Sequence, residues 1–477
     1  MKRFLLSVFA AAAMVAMAAP SMASDVTVSG QYLLRSEYSN NKDFDGGIVS
    51  ATGKSANDHQ DFTAQRVRLT SNVKATDDTS VKITLQDTRV WGATSNANGG
   101  PGLTDTGGAA VAAGSATAAS NVTDLHESYL NVDNVFGSGI AVKVGRQELN
   151  YGDQRLIGSF GWSANGRSFD AANFYYKSKA LDLDVFRSTI VENTTSNTDM
   201  DFYGIYSTVK VVPDKLADVD VYLLRLIDKN TTTAGTAFGQ TTLGNTSLQG
   251  STLKDSSVIN TFGFRVKGGA IGIDYTAEFV PLQTGTVTTY VKSYKIKGSA
   301  YAIKGGYTLP VAKLRVGLEY DYASGDKDGT DEKITTFFNL FPTNHDKYGY
   351  ADQQGWRNMK AYALAVSAEP LDKVKVEFAY WNFKLAQKAD AWYGAANWES
   401  TPGGNRAAST TNTATDVGSE IDLRAIYKYN SSVSLDLGYS RFLPGKFIKN
   451  QTAYTATTPT KKIANMDWAY LMVVANF

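Results

Sequence analysis

Apolar residues fall at every second position along nearly the whole chain. Val26, Val28, Tyr32, Leu34 and Tyr38 share one face of a segment whose other face carries Thr27, Ser29, Gln31, Arg35 and Glu37. Val67, Leu69 and Val73 oppose Arg66, Arg68 and Asn72, and Val81, Ile83 and Leu85 oppose Lys82, Thr84 and Gln86. The rule holds to the end, where Ile421, Leu423, Ala425 and Tyr427 oppose Glu420, Asp422, Arg424 and Lys428. A period of two is that of a strand with one apolar and one polar face. In a soluble sandwich the polar face looks at water. In a membrane barrel the apolar face looks at lipid and the polar face at a lumen.

The connections separate these cases, because they alternate in length. Short ones fall at 75–80, 134–139, 178–180, 213–217, 268–269, 309–313, 370–373 and 430–432. Long ones fall at 39–60, 92–121, 150–167, 228–255, 281–291, 323–354, 385–416 and 443–462, with a shorter member at 193–200. This alternation predicts an all-β fold: a single transmembrane antiparallel β-barrel of about eighteen strands, with short periplasmic turns and long outside loops. Closure removes the exposed edges that so many strands would leave. Tyr38, Trp91, Tyr129, Tyr307, Tyr362, Trp381 and Trp468 lie near strand ends, where aromatic girdles belong.

The ends agree with an envelope protein. Lys2 and Arg3 precede an apolar run rich in small residues, and 20–23 has the spacing of a cleavage site, so residues 1–23 read as a signal peptide and 24–477 as the barrel. Ala469, Leu471, Val473, Ala475 and Phe477 alternate and end on an aromatic, as do strands read by barrel assembly machinery. There is no cysteine, so thiolate metal sites are excluded. Of 47 Lys+Arg, two lie in the leader, leaving 45 against 46 Asp+Glu; such neutrality argues against a nucleic-acid partner. The partners expected are outer-membrane lipid and lipopolysaccharide, together with a small solute or a polysaccharide.

One loop is chemically unlike the rest. From Val144 to Asp170 it gathers Arg146, Glu148, Asp153, Arg155, Arg167 and Asp170 among tight-turn glycines, where other loops are built of Asn, Thr, Ser and Gly. Buried charges of both signs persist only when paired and hydrogen-bonded, so the loop reads as an inward-folded clasp that narrows the lumen. Gly145-Arg146-Gln147-Glu148, Tyr151-Gly152-Asp153, Arg155-Leu156-Ile157-Gly158, Trp162, Gly166-Arg167 and Phe169-Asp170-Ala171 resemble the alginate-export family of outer-membrane barrels. The run from Phe338 to Asp352, which includes Pro342, His345 and Tyr348, resembles that family's seventh-loop motif. The resemblance implies an eighteen-strand barrel and, in alginate-exporting members, a basic constriction that passes an acidic polysaccharide. It makes Arg146, Arg155 and Arg167 constriction or clasp residues.

The expected lumen wall is mixed in sign. Arg66, Arg68, Arg265, Lys267, Arg315 and Arg424 stand with Asp274, Glu278, Glu319, Asp321, Glu420 and Asp422. A conduit for a long polyanion should show one sign. The sequence therefore points to a channel for small or sugar-like solutes, with export of an alginate-like exopolysaccharide in a secretion assembly, or a surface adhesin or receptor barrel, as alternatives. His59, His126 and His345 are the only histidines, and none has a second at metal-binding spacing. His345, with Asp352, reads as a loop anchor. His126 and Glu127 are adjacent on a strand, so they are expected on opposite faces and no catalytic relay is expected. Residues 324–332 have a calcium-loop look but carry Thr335 where a bidentate glutamate belongs. No cofactor, metal or enzymatic activity is expected.

Overall fold

The computed structural model describes residues 25–42, 44, 59–91, 122–192, 198–211, 216–229, 238, 253–395, 413–452 and 463–477. The expected leader, 1–23, and the Gly/Ala/Ser-rich run 99–120 lie outside these residues.

The alternating pattern folds as strands β1 (Asp25–Asn40), β2 (His59–Lys74), β3 (Thr79–Val90), β4 (Val122–Val132), β5 (Ile140–Gln147), β6 (Phe169–Lys177), β7 (Leu181–Val191), β8 (Met200–Val211) and β9 (Ala217–Asp228). It continues with β10 (Ser257–Ala270), β11 (Ile273–Thr288), β12 (Ser293–Thr308), β13 (Arg315–Ala323), β14 (Lys333–Ile334) and β15 (Met359–Leu371). The last are β16 (Val374–Leu385), β17 (Asp416–Lys428), β18 (Val433–Pro444) and β19 (Met466–Asn476), with a short helix α1 (Lys446–Thr452) before β19. Each wall strand pairs antiparallel with its neighbours, and β1 closes on β19 from Gln31↔Asn476 to Asn40↔Asp467. The two-residue β14 adds in parallel to β12 and is not part of the wall, which is a closed barrel of 18 strands.

Val28, Val144, Phe174, Leu223, Leu318, Tyr362 and Leu437 are exposed on the outer surface. Inward-pointing neighbours such as Asn173, Tyr222, Leu224, Ala361, Ala363 and Asp436 are buried, which is the lipid-out, lumen-in alternation of a membrane barrel. Tyr38, Trp91, Tyr307 and Tyr362 are exposed, whereas Trp381 and Trp468 are buried. Tyr129, between Lys82 and Lys143, faces the interior. These three are interior packing rather than girdle residues.

Two further expectations are corrected. Residues 281–291 are not a long loop. β11 continues through Pro281, and the ladder to β12 shifts register between Val280 and Gln283. Proline has no N–H for a ladder, and a bulge absorbs it. The connection is the turn after Thr288, where the Lys292 N–H donates to Thr289 Oγ1 at 3.0 Å. The second concerns His126 and Glu127. The β3–β4 ladder shifts between Thr84 and Leu85, passing over His126, so both side chains are buried. A bulge breaks the strict alternation that places neighbours on opposite faces.

The barrel is filled toward its outer end by loops. Phe44, Phe338, Phe341, Trp356, Trp392, Phe442 and Phe447 belong to one buried cluster with wall residues such as Phe202 and Phe383. Toward that end the inward faces of the strands meet protein, not only water.

Candidate functional site

The third outside loop, 148–168, and the seventh, 324–358, both turn inward and join in a seam. Ile157 bridges Phe341 in parallel register. The Phe341 N–H donates to Leu156 O at 2.8 Å, Gly158 N–H to Phe341 O at 2.9 Å, and Thr343 N–H to Gln154 O at 2.9 Å. The Phe160 N–H donates to Thr343 Oγ1 at 2.9 Å. Buried irregular backbone needs such partners, because an unpaired amide in a dry interior is costly. Position 158 must be glycine for this approach: a Cβ there would stand 2.3 Å from Thr343 Oγ1.

Arginines lock the seam. Arg167, 1% exposed, donates from Nη1 to the carbonyls of Gly158 (2.9 Å), Phe341 (2.7 Å) and Pro342 (2.9 Å). These three partners are backbone oxygens of both loops. Arg155 donates to the Tyr348 hydroxyl at 2.8 Å and pairs with Glu319 and, at 3.2 Å, Asp321 on β13. It therefore ties third loop, seventh loop and wall together. Arg66 donates to the carbonyls of Gly161 and Ser163 (3.1 and 3.0 Å).

Acids of the third loop are held by wall cations. Asp153 accepts from Arg265 on β10 at 2.7 Å and pairs with Lys304 on β12 at 2.7 Å. Burial pushes the Asp153 carboxyl up, but Lys304 and Arg265 outweigh it and hold the group well below the usual carboxylate range. Arg265 also donates to Asp220 at 2.6 Å. Glu148 lies 2.7 Å from His126 Nε2 and 3.5 Å from Arg68. Burial raises its pKa, and the His126 hydrogen bond and charge, with Arg68, bring it below the ordinary value. Ser168 Oγ approaches His126 Nδ1 at 3.3 Å, but it gives its proton to His126's own carbonyl at 2.5 Å and is buried, so it is not an available nucleophile.

Arg146 and Asp170 stand elsewhere. They are register partners on β5 and β6 and pair at 3.2 Å. Arg146 shares its face of β5 with exposed Ile140 and Val144, and Asp170 shares its face of β6 with exposed Phe174 and Tyr176. Both point outward, so neither is a constriction residue. Gly145, with φ of 127° and room for no Cβ beside Ser128 O, distorts β5 immediately before this pair.

His345 lies in the seam. It stacks on Trp162 at a centroid distance of 3.8 Å, and its Nδ1 meets Asp352 Oδ2 at 2.9 Å. Arg35 on β1 donates to Trp162 O at 2.5 Å and lies 3.9 Å over its ring. Arg35, Lys304, Asp220 and Tyr348 are the site residues that sequence reasoning left out. The first three occupy polar strand positions, which was the available signal; Tyr348 lay inside the second motif. Farther along the wall Arg315 pairs with Asp274 at 2.6 Å, and Arg424 with Asp436 at 2.6 Å and Glu377 at 3.3 Å. Among the described residues no group of three or more His, Asp or Glu is placed to hold a metal ion. Asp326, Asp328 and Asp331 instead accept from nearby backbone N–H groups in tight turns.

The family model for alginate export matches residues 27–460. The chain belongs to the alginate export family. This family member is an outer-membrane β-barrel of the Gram-negative envelope. No curated protein matches it in sequence. Among solved structures it is similar to OpdK of Pseudomonas aeruginosa, solved with vanillate, at 9% identity and a TM-score of 0.56 over 96% of this chain and 100% of that one. OccAB3 of Acinetobacter baumannii is similar at 10% identity and a TM-score of 0.55, over 94% and 99%. OccK2 (OpdF) of Pseudomonas aeruginosa, solved in complex with glucuronate, is similar at 9% identity and 0.53, over 96% and 99%. At such identities the likeness is one of fold.

Proposed function

We propose that this alginate export family barrel is a passive outer-membrane channel for small or sugar-like solutes, narrowed by the seam of its third and seventh loops. The observation that carries this reading is charge pairing inside the lumen. Arg68 meets Glu148, Lys82 meets Glu127, Lys304 meets Asp153, Arg315 meets Asp274 and Arg424 meets Asp436. A wall in which cations are answered by acids attracts neither sign strongly. It suits neutral or modestly charged polar solutes that exchange hydrogen bonds with the wall. In this reading Asp153, Arg155 and Arg167 hold the constriction in place. Glu148 and Arg68, which keep some exposure, meet the solute. OpdK with vanillate and OccK2 with glucuronate are barrels of this fold solved with small organic anions, which is compatible with the solute size. The role is transport rather than catalysis, and barrel assembly machinery is the folding partner.

The test is conductance in planar bilayers. Discrete channels of weak ion selectivity are expected, and deletion of the third loop should enlarge them. No channel in either protein would overturn the proposal. The second reading, export of an acidic exopolysaccharide, is favoured by the family match over 27–460. Pronounced anion selectivity would favour that reading instead.

A further inference from the structure

Cations on the outer surface fall into two groups. On one side of the barrel each has an acid beside it: Arg89 with Asp87 (2.7 Å), Arg146 with Asp170 (3.2 Å), Arg187 with Asp201 (2.9 Å) and Arg441 with Asp467 (3.7 Å). From β9 to β16 this changes. Arg225, Lys295, Lys297, Lys360 and Lys384 have the parity of exposed apolar neighbours, and none forms an ion pair among the described residues.

Lys360 and Lys384 are the sharpest case. They are direct register partners on β15 and β16. Like charges placed directly opposite on one face repel. On their flanks stand Tyr322 and Asp416. Asp416 Oδ2 accepts from the Lys446 N–H at 3.3 Å, and no acid lies within ion-pair distance of either lysine among the described residues. Asp416, the register partner of Lys384, offsets part of this repulsion without forming an ion pair, and an anionic group from outside the chain would offset the rest.

Height on the wall says what supplies it. The pair lies about ten residues above the turn between Leu371 and Val374, about 25 Å along the membrane normal at the usual strand rise and tilt. That is the height of an apolar band. Level with the pair and just below it are outward tyrosines in mutual contact: Tyr301 with Tyr322 (5.0 Å) and Tyr320 with Tyr362 (4.7 Å). A tyrosine cluster marks the border of acyl chains and headgroups, so the lysines stand at headgroup level of the outer leaflet.

We infer that Lys360 and Lys384, supported by Lys297, seat a phosphate group of an outer-leaflet glycolipid, lipopolysaccharide, against the tyrosine cluster of β12–β16. Two ammonium groups at strand spacing flank one phosphate, and tyrosine faces cover the first part of the acyl chains. The inference rests on the outer-membrane setting and not on what passes through the lumen.

The experiment titrates the full chain in detergent with diphosphorylated lipid A and with the same lipid after dephosphorylation, read by native mass spectrometry. The wild-type protein should prefer the phosphorylated form roughly tenfold or more. The Lys360→Gln/Lys384→Gln variant should lose that preference, and Lys428→Gln, at the far end of the wall, should keep it. Should the double variant not fold, Lys384→Gln alone is expected to lose part of the preference and Lys360→Arg/Lys384→Arg to retain it. No phosphate preference in the wild type, an unchanged preference in the glutamine variants, or a lipid-free dimer that Lys384→Gln dissociates would each overturn the inference. Conductance of the double variant should equal that of wild type, so failure of the channel reading and failure of the lipid seat are separately visible.

Discussion

Arg155 of the third loop and Tyr348 of the seventh meet at 2.8 Å, with both side chains buried. The same guanidinium answers Glu319 and Asp321 of the wall. Removing one member of a buried ionic cluster leaves the others uncompensated and costs roughly 3–5 kcal/mol. Arg155→Ala is therefore expected to release the seam while the wall hydrogen bonds keep the barrel closed. Hydrogen exchange at the Phe341 and Thr343 amides should rise by at least a hundredfold, and single-channel current should become larger or noisier. Unchanged exchange at both amides would remove Arg155 from the seam.

Arg146 gives the opposite expectation. Its pair with Asp170 lies on the outer face, partly exposed, and such pairs contribute roughly 0–1 kcal/mol. Arg146→Ala should leave conductance and selectivity at wild-type values. A conductance change as large as that of Arg155→Ala would mean that the side chain reaches the lumen after all.

These two arginines show what was legible in the sequence. Strand period and loop alternation report the wall directly, because lipid and lumen impose period two on every strand. Arg146 and Arg155 sit in one motif, yet they part company because the strand ends at Gln147 and the chain turns inward after it. Parity with Val144 placed Arg146 outward and was readable; the motif resemblance drew it to the lumen instead. The partners of Arg155 and Arg167 were not readable. They come from β13 and the seventh loop, far off in sequence, and Arg167 uses carbonyls, which leave no residue-type signal. Pro281 misled for a related reason: proline speaks against a ladder, and only the register to β10 and β12 reveals the bulge that admits it.

Acidity should act on the seventh loop and spare the third. Asp326, pushed up to about 6 chiefly by burial, with neighbouring Asp390 also raised by burial, favours its protonated form in the folded loop. A raised carboxyl pKa contributes stability that is full below about 4 and is lost as pH rises through about 6. Asp153 runs the other way: its depressed pKa keeps the carboxylate ionised, and the Arg265 and Lys304 clamp intact, well below the ordinary carboxylate value of about 4. The chain has no cysteine, so a spin label at Lys327→Cys reports this loop alone. Its mobility should increase between pH 4 and 7 with a midpoint near 6, and Asp326→Asn should abolish the transition. A titration that persists in Asp326→Asn would assign it to another group.

Gly158 tests the seam sterically, without touching charge. A Cβ at this position would lie 2.3 Å from Thr343 Oγ1 and 2.8 Å from Gln154 Cβ. Gly158→Ala must push the two loops apart, and overpacking of this kind costs roughly 1–3 kcal/mol. Thr343→Ala alone also destabilises, since it removes the acceptor of the Phe160 N–H and the hydroxyl that donates to Gln154 at 2.8 Å. Together the two changes should cost less than the sum of their separate effects, because removing the hydroxyl makes room for the new methyl group. A coupling of about 1 kcal/mol in a double-mutant cycle, read by hydrogen exchange at the Phe341 amide, would match contact across the seam. Strict additivity would mean that the third and seventh loops do not touch at this point.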